Sequence, residues 1–148
     1  MRTTLGKYLF GIALLSVFLM PACHFAQEDF DPGQYRVRFD FTTTKQADGS
    51  RVLKAEFAAT NRKDRLDRVP VYGAEVAFTN VLEDQETVLG RAETSKEGIA
   101  EITLPANHSY LTDAEGFINL TARFEGSEAL DAESEDLRIR DLRLKIDL

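Results

Sequence analysis

The stretch INLTARF, Ile118–Phe124, carries the clearest structural signal in the sequence. Apolar residues fill every second position, and polar or basic residues fill the positions between them: Ile118, Leu120, Ala122 and Phe124 alternate with Asn119, Thr121 and Arg123. A period of two is typical of a β-strand that buries one face and exposes the other. The stretch therefore predicts a strand at the wall of a hydrophobic core.

The same alternation recurs along the chain, in residues 35–42, 53–59, 74–79, 88–94, 100–104 and 132–140, and Pro70 is expected to open the third of these units. Turn residues separate the segments: Asp48-Gly49, Glu83–Glu86 and Lys96–Gly98. The charged run Asn61–Arg68 is predicted to be a solvated loop. No stretch after residue 27 has a long 3.6-residue apolar repeat. About seven short strands predict an all-β, immunoglobulin-like antiparallel β-sandwich over residues 35–140.

Length and charge limit the classes of function. The chain has 148 residues, of which 43% are hydrophobic, and this suits a single domain with a core of its own. Asp and Glu number 25 against 18 Lys and Arg, so the net charge is −7. A chain with this balance is a poor candidate for nucleic acid or for anionic membrane surfaces, which attract basic proteins.

Residues 1–22 have the order of parts that is typical of a secretory signal peptide, expected as a helix. Arg2 and Lys7 precede the apolar run Tyr8–Met20, which is too short to span a bilayer. Cleavage is expected after Ala22, where Met20–Cys23 resembles a lipobox and Cys23 would be lipidated, or after Ala26. Cys23 is the only cysteine. The mature protein is predicted to be exported, in the periplasm, associated with the outer membrane or at the cell surface, with residues 23–34 as a linker.

Short motifs in residues 69–140 carry a resemblance to a known family. They comprise a Pro-Val and a Gly-Ala before one strand, a Leu-Gly before the next, a turn glycine before a strand that ends in Leu-Pro, and a late Ala and Phe followed by glycine: Pro70, Val71, Gly73, Ala74, Leu89, Gly90, Gly98, Leu104, Pro105, Ala122, Phe124 and Gly126. The segment resembles the bacterial Ig-like (Big-type) modules of cell-envelope and surface proteins. The carboxypeptidase-regulatory or transthyretin-like β-sandwich is a close competitor. Neither resemblance implies catalysis; such modules serve as spacers, stalks, adhesive units or substrate-binding accessories.

The last seven residues, LRLKIDL, repeat the class pattern of YRVRFDF at Tyr35–Phe41. They follow at about the length of one Ig-type unit. Residues 141–148 are therefore predicted to begin a second, truncated module. The alternative is a final strand that serves the same domain at a sheet edge.

No residue set predicts catalysis or a cofactor. His108 and Ser109 are adjacent in a polar loop, which is neither a zinc site nor a catalytic triad. Asp113 and Glu115 precede a glycine and are weak candidates for binding Ca²⁺, against the simpler interpretation of an acidic turn. The acidic cluster in the last strand has the same two interpretations: Asp131, Glu133, Glu135 and Asp136.

The sequence therefore predicts a non-catalytic module that acts as a spacer, stalk or protein-contact domain. Its partners would be proteins or further domains of the same polypeptide, with membrane attachment through a lipidated N-terminus and no nucleic acid. Basic residues on edge strands are expected to discourage promiscuous pairing first and to contact partners second. They are Arg36 and Arg38, or Arg138, Arg140, Arg143 and Lys145. The alternative function is binding of carbohydrate or Ca²⁺ by the loops, with Tyr72 and Tyr110 as the aromatic candidates.

Overall fold

A computed structural model describes residues 33–141 of the chain. These residues form eight β-strands and no helix, so the predicted all-β fold is confirmed. The strands are β1 Tyr35–Lys45, β2 Arg51–Asn61, β3 Arg68–Pro70, β4 Glu75–Leu82, β5 Gln85–Glu93, β6 Ile99–Leu104, β7 Phe117–Phe124 and β8 Glu133–Arg140.

The strands form two antiparallel sheets that pack as a sandwich. In the first sheet, β1 pairs with β2, and both β3 and β6 pair with the other side of β2. The second sheet has the order β5-β4-β7-β8. This arrangement confirms the predicted antiparallel sandwich and the predicted pairing of the first two strands, and it is consistent with an Ig-like module.

The structure has one strand more than the seven that were predicted. This strand is β3, and the sequence pattern did not indicate it. Pro70 does not open the next strand: it ends β3 and pairs with Ala58, so that prediction was wrong. The long strand β2 pairs with β6 over residues 51–56 and with β3 over residues 58–60. Gly98 occupies the junction, where its φ is +76° and a Cβ would lie 2.3 Å from the Phe57 carbonyl oxygen. Only glycine fits there without a backbone shift.

The core lies between the sheets and follows the predicted alternation. All four apolar residues of INLTARF are buried, and three of them, Ile118, Leu120 and Ala122, lie in the main cluster with Phe78 and Leu53. A second cluster centres on Phe57, which is fully buried between the rings of Phe39 and Phe124 at centroid distances of 5.3 and 5.0 Å. Burial of such side chains contributes roughly 1.5–3 kcal/mol each.

Each sheet ends in an edge strand, and on one side of the sandwich these are β1 and β8. Their contacts lie in the C-terminal half of β1, from Phe41 onward. The Phe41 N–H donates to Glu135 Oε2 at 2.7 Å, and Lys45 Nζ lies 2.6 Å from Asp141 Oδ1. This leaves the N-terminal half of β1 uncovered by β8.

Several sequence predictions lie outside the described residues: the signal peptide of residues 1–22, the cleavage site, lipidation of Cys23, and the strand expected in LRLKIDL. Within the described part of the chain, no helix has the length and apolar character needed to cross a membrane.

Candidate interaction surface

A groove of about 880 Å³ runs along the N-terminal half of β1. Its walls come from β1 residues 36–40, the end of β2, the loop of residues 62–67, Arg68 at the start of β3, and Glu133 at the start of β8. Five of its side chains are arginines: Arg36, Arg38, Arg62, Arg65 and Arg68. We call it the arginine groove.

Strand register explains how arginines that are distant in the sequence meet here. Arg36 pairs with Thr60 across β1 and β2, and Thr60 pairs with Arg68 across β2 and β3. Because residues in register point to the same face of a sheet, Arg36 and Arg68 both lie on the outer face. Arg38 lies two residues further along that face. The outer face of the first sheet therefore supplies three of the five arginines.

The charged loop between β2 and β3 supplies the other two arginines, Arg62 and Arg65. It is exposed, as predicted, but it is fastened to the sheet. Asp67 Oδ2 accepts a hydrogen bond from the Tyr35 hydroxyl at 2.8 Å and from Asn61 Nδ2 at 2.9 Å. The N–H of Arg62 donates to the Gln34 carbonyl at 2.8 Å. These bonds hold Arg62 and Arg65 beside the start of β1.

The groove has an excess of positive charge in an acidic protein. Its carboxylates are Asp40 and Glu133. Asp40 pairs with Arg38 and raises the pKa of that guanidinium, first through a hydrogen bond and then through its charge. Arg68 lies 3.5 Å from Glu56, a contact that contributes little at a solvated surface. The side chains of Arg36 and Arg65 form no ion pair with any described residue.

The backbone along the groove has hydrogen-bonding groups that find no partner among the residues the structure describes. In an antiparallel pair, residues alternate between those that bond the neighbouring strand and those that point away from it. The Phe41 N–H points away from β2, because it donates to Glu135. Since the register with β2 runs without a bulge, Val37 and Phe39 point the same way. No described residue covers this part of the edge.

The weak calcium candidates Asp113 and Glu115 come together in the structure, but around an arginine. Arg138 Nη2 lies 2.8 Å from Asp113 Oδ2 and 2.8 Å from Glu115 Oε2. Asp113 Oδ1 accepts the N–H groups of Glu115 and Phe117. Arg138 first, and then the N–H of Phe117, lower the pKa of Asp113. A calcium ion would have to displace Arg138 from both carboxylates.

The acidic cluster of the last strand does not converge on one point. Glu133 lines the arginine groove, Glu135 accepts from the Phe41 N–H, and Asp136 Oδ1 accepts from the Thr121 hydroxyl at 2.6 Å. Alternate residues of a strand face opposite sides, so neighbours in the sequence separate in space. Among the residues that the structure describes, no three His, Cys, Asp or Glu side chains are grouped to hold a metal ion.

The two tyrosine candidates differ in exposure. Tyr72 is 71% exposed and lines a shallow cavity of about 550 Å³ with Arg91 and Arg123. Tyr110 packs against the core, stacks edge-on with His108 at 4.7 Å, and has its pKa raised by burial. Only Tyr72 offers its ring to a ligand. His108 contacts Tyr110 in a small polar pocket that also includes Arg51.

Sequence reasoning identified Arg36 and Arg38 as edge charges but assigned the loop arginines to solvent. One feature of the sequence could have indicated their position. The loop directly follows β2, and because β2 is antiparallel to β1, the end of β2 lies beside the start of β1. Nothing in the sequence marked Glu135 as the residue that reaches β1. Comparison with protein-family models, curated proteins and solved structures finds no match for this chain.

Proposed function

We propose that this protein is an exported, non-catalytic, Ig-like module of a bacterial envelope protein that contacts other proteins through the arginine groove. The strand order of the sandwich and the signal-like residues 1–22 support this proposal. The Big-type resemblance of residues 69–140 points to the same class of module, with the transthyretin-like sandwich as the competing family. In this proposal Cys23 carries the lipid that tethers the domain to the membrane.

The observation that carries the proposal is the arginine groove itself. Charged side chains on the edge strand itself are enough to discourage edge-to-edge pairing. Here two strands, β1 and β3, and a fastened loop bring five arginines together in a chain of net charge −7. At least Arg36 and Arg65 have no ion-pair partner in the described part of the chain, so their charges are available to an acidic partner.

Site-specific photo-crosslinking of the full chain in its native host tests the contact. A photoreactive residue replaces Arg65 in the groove or, as the control, Thr87 on the exposed strand β5. We expect a discrete protein adduct from position 65 that is absent from position 87. The same adducts from both positions, or none from position 65, would contradict a groove-specific contact.

The tether is tested by the intact mass of the protein recovered from the membrane fraction. A mass that begins at Cys23 and includes lipid is expected, and Cys23→Ser should release the protein from membranes. A mature N-terminus at Gln27 would contradict the lipid anchor and leave export in place.

Carbohydrate binding is the second candidate function, and the exposure of Tyr72 favours it. Tyr72 lines the same cavity as Arg91 and Arg123. Both arginines are in exposed ion pairs and have further N–H groups to donate to sugar hydroxyls. Tyr72→Ala should then abolish retention on the host's cell-wall polysaccharide, while Tyr110→Phe should not. Retention of the Tyr72→Ala protein would exclude this candidate. For the calcium version, a melting midpoint that is unchanged by chelator would count against it.

A further inference from the structure

We propose that the arginine groove binds an extended acidic peptide, which adds to β1 as a further strand of the first sheet. This inference rests on the proposed function and names the chemistry of the partner. It joins two independent features of the groove, a backbone edge that no described residue pairs with and an excess of arginine. Either feature alone would fit many ligands.

The backbone edge defines the conformation of the partner. Val37 and Phe39 direct their main-chain groups away from β2, and the groove opens along them. Glu135 already uses a carboxylate to accept the next outward N–H, that of Phe41. It ends the open edge on that side, because a new strand would compete with it there. The open segment, residues 36–40, is roughly 17 Å long, which is enough for a short strand.

The side chains define the sequence of the partner. Side chains on adjacent strands that share a face lie about 5 Å apart. An added strand would therefore place every second side chain beside Arg36 and Arg38 on the outer face, where Glu or Asp is preferred. Its other side chains would face Val37 and Phe39, which are half-buried and pack against the Phe57 cluster. The expected partner alternates acidic and apolar residues.

Charge argues against two other occupants. A second copy pairing edge to edge would bring the β1 arginines of both copies together. The chain's own LRLKIDL segment carries Arg143 and Lys145 against the single Asp147. Like charges opposite each other on paired strands are destabilising. An acidic segment of another protein avoids this cost.

The test is a titration of the full chain with a labelled peptide that alternates valine and glutamate over about seven residues. Two control peptides are matched to it: one replaces glutamate with lysine, and one has the same composition in separate blocks of valine and glutamate. We expect binding of the alternating peptide alone. Amide hydrogen exchange at Val37 and Phe39 should slow in the complex, because those N–H groups gain acceptors.

Protein variants separate the groove from general charge effects. Arg36→Glu combined with Arg65→Glu should weaken binding by at least roughly tenfold, with an unchanged circular dichroism spectrum. Lys96→Glu makes the same type of charge reversal in an exposed turn outside the groove, and it should leave the affinity unchanged. An equal loss in Lys96→Glu would overturn the assignment of the site.

Three outcomes would overturn strand addition. The block peptide could bind as well as the alternating one, with no slowing at Val37 and Phe39, which would indicate simple attraction of anions. The protein could dimerise through β1. The peptide could bind only after deletion of residues 142–148, which would make that segment the occupant. The crosslink at position 65 is measured separately, so failure of strand addition is distinguishable from failure of the proposed function.

Discussion

The two edge strands on one side of the sandwich carry the same motif and use it differently. In β1, Arg36 and Arg38 alternate with Val37 and Phe39. In β8, Arg138 and Arg140 occupy equivalent alternate positions around Ile139. Both pairs lie on the outer face of their sheet. From the sequence alone, the two pairs of arginines are predicted to have the same role.

On β8 the arginines are engaged by a neighbouring loop. Arg138 bridges Asp113 and Glu115, Arg140 donates to the Glu115 carbonyl at 2.6 Å, and both guanidinium groups lie over the Phe117 ring, 3.9 and 4.3 Å from its centroid. On β1, no loop in the described part of the chain brings a carboxylate to Arg36, and Arg38 pairs with Asp40 of its own strand. The neighbouring loop adds the cations Arg62 and Arg65. Arginine on an edge strand is therefore structural where a loop brings carboxylates to it, and it is available to a partner where none does.

The largest expected effect concerns the Phe57 cluster, against which Val37 and Phe39 of β1 pack. Phe57→Ala removes a fully buried ring that contacts Phe39 and Phe124, so the free energy of unfolding should fall by about 3–5 kcal/mol. Leu137→Ala beneath the β8 edge removes a half-buried side chain and should cost about 1–2 kcal/mol. Urea unfolding of both variants measures the difference. Equal losses of unfolding free energy in the two variants would show that core packing stabilises the two edge strands equally.

The second effect tests the engaged arginine. Arg138→Ala removes both ion pairs and a stacking contact with Phe117, and should lower Tm by several degrees. Arg138→Lys should recover only part of the loss, because lysine lacks the planar fork that reaches two carboxylates and stacks on a ring. Calorimetry of the three proteins measures this. If Arg138→Lys has the Tm of the parent protein, the positive charge alone accounts for the stabilisation by Arg138.

The third effect is the pH dependence of the same contact. The folded pKa of Asp113 is lowered, so its carboxylate stabilises the fold above the unfolded pKa of about 3.9 and loses this contribution as pH falls through the folded pKa. Asp113→Asn should therefore lower Tm at neutral pH, and the gap to the parent protein should narrow below about pH 4. Asp84→Asn, in the exposed β4–β5 turn, is the control for loss of a carboxylate. A gap that persists at low pH would assign the effect to something other than ionisation of Asp113.

The fold could be predicted because burial leaves a periodic trace in the sequence. The four apolar residues of INLTARF are buried at every second position, and burial alternates along the whole of β8. The strand around Phe78 is buried on both faces, although its sequence predicts one buried face. The short strand β3 left no such trace, since three residues cannot display a period and one of them is proline. Its place depends on β2 being longer than β6 and on Gly98 at the junction.

The candidate site could be predicted only in part, because ion-pair partners depend on which loop returns to which strand. Asp113 and Glu115 were identified from the sequence as an oxygen-rich turn, and they do lie together. Their partner, Arg138, is more than twenty residues away along the chain. Nothing local distinguishes it from Arg36, which forms no ion pair with a carboxylate among residues 33–141. The difference becomes visible only when the strand order is known.

The smallest expected effect on stability completes the comparison. Arg36→Ala changes an exposed side chain that has no ion pair in the described part of the chain, so the free energy of unfolding should change by no more than about 0.5 kcal/mol. The same substitution at Arg138, in the matching position on the other edge, should produce the clear loss of Tm described above. Parallel melting curves measure both. If Arg36→Ala lowers Tm as much as Arg138→Ala does, the β1 arginines also stabilise the fold. Their charges would then not be available to a partner without a cost in stability. If Arg36→Ala leaves the free energy of unfolding unchanged and weakens binding of the alternating acidic peptide, then the Arg36 charge serves recognition and does not stabilise the fold.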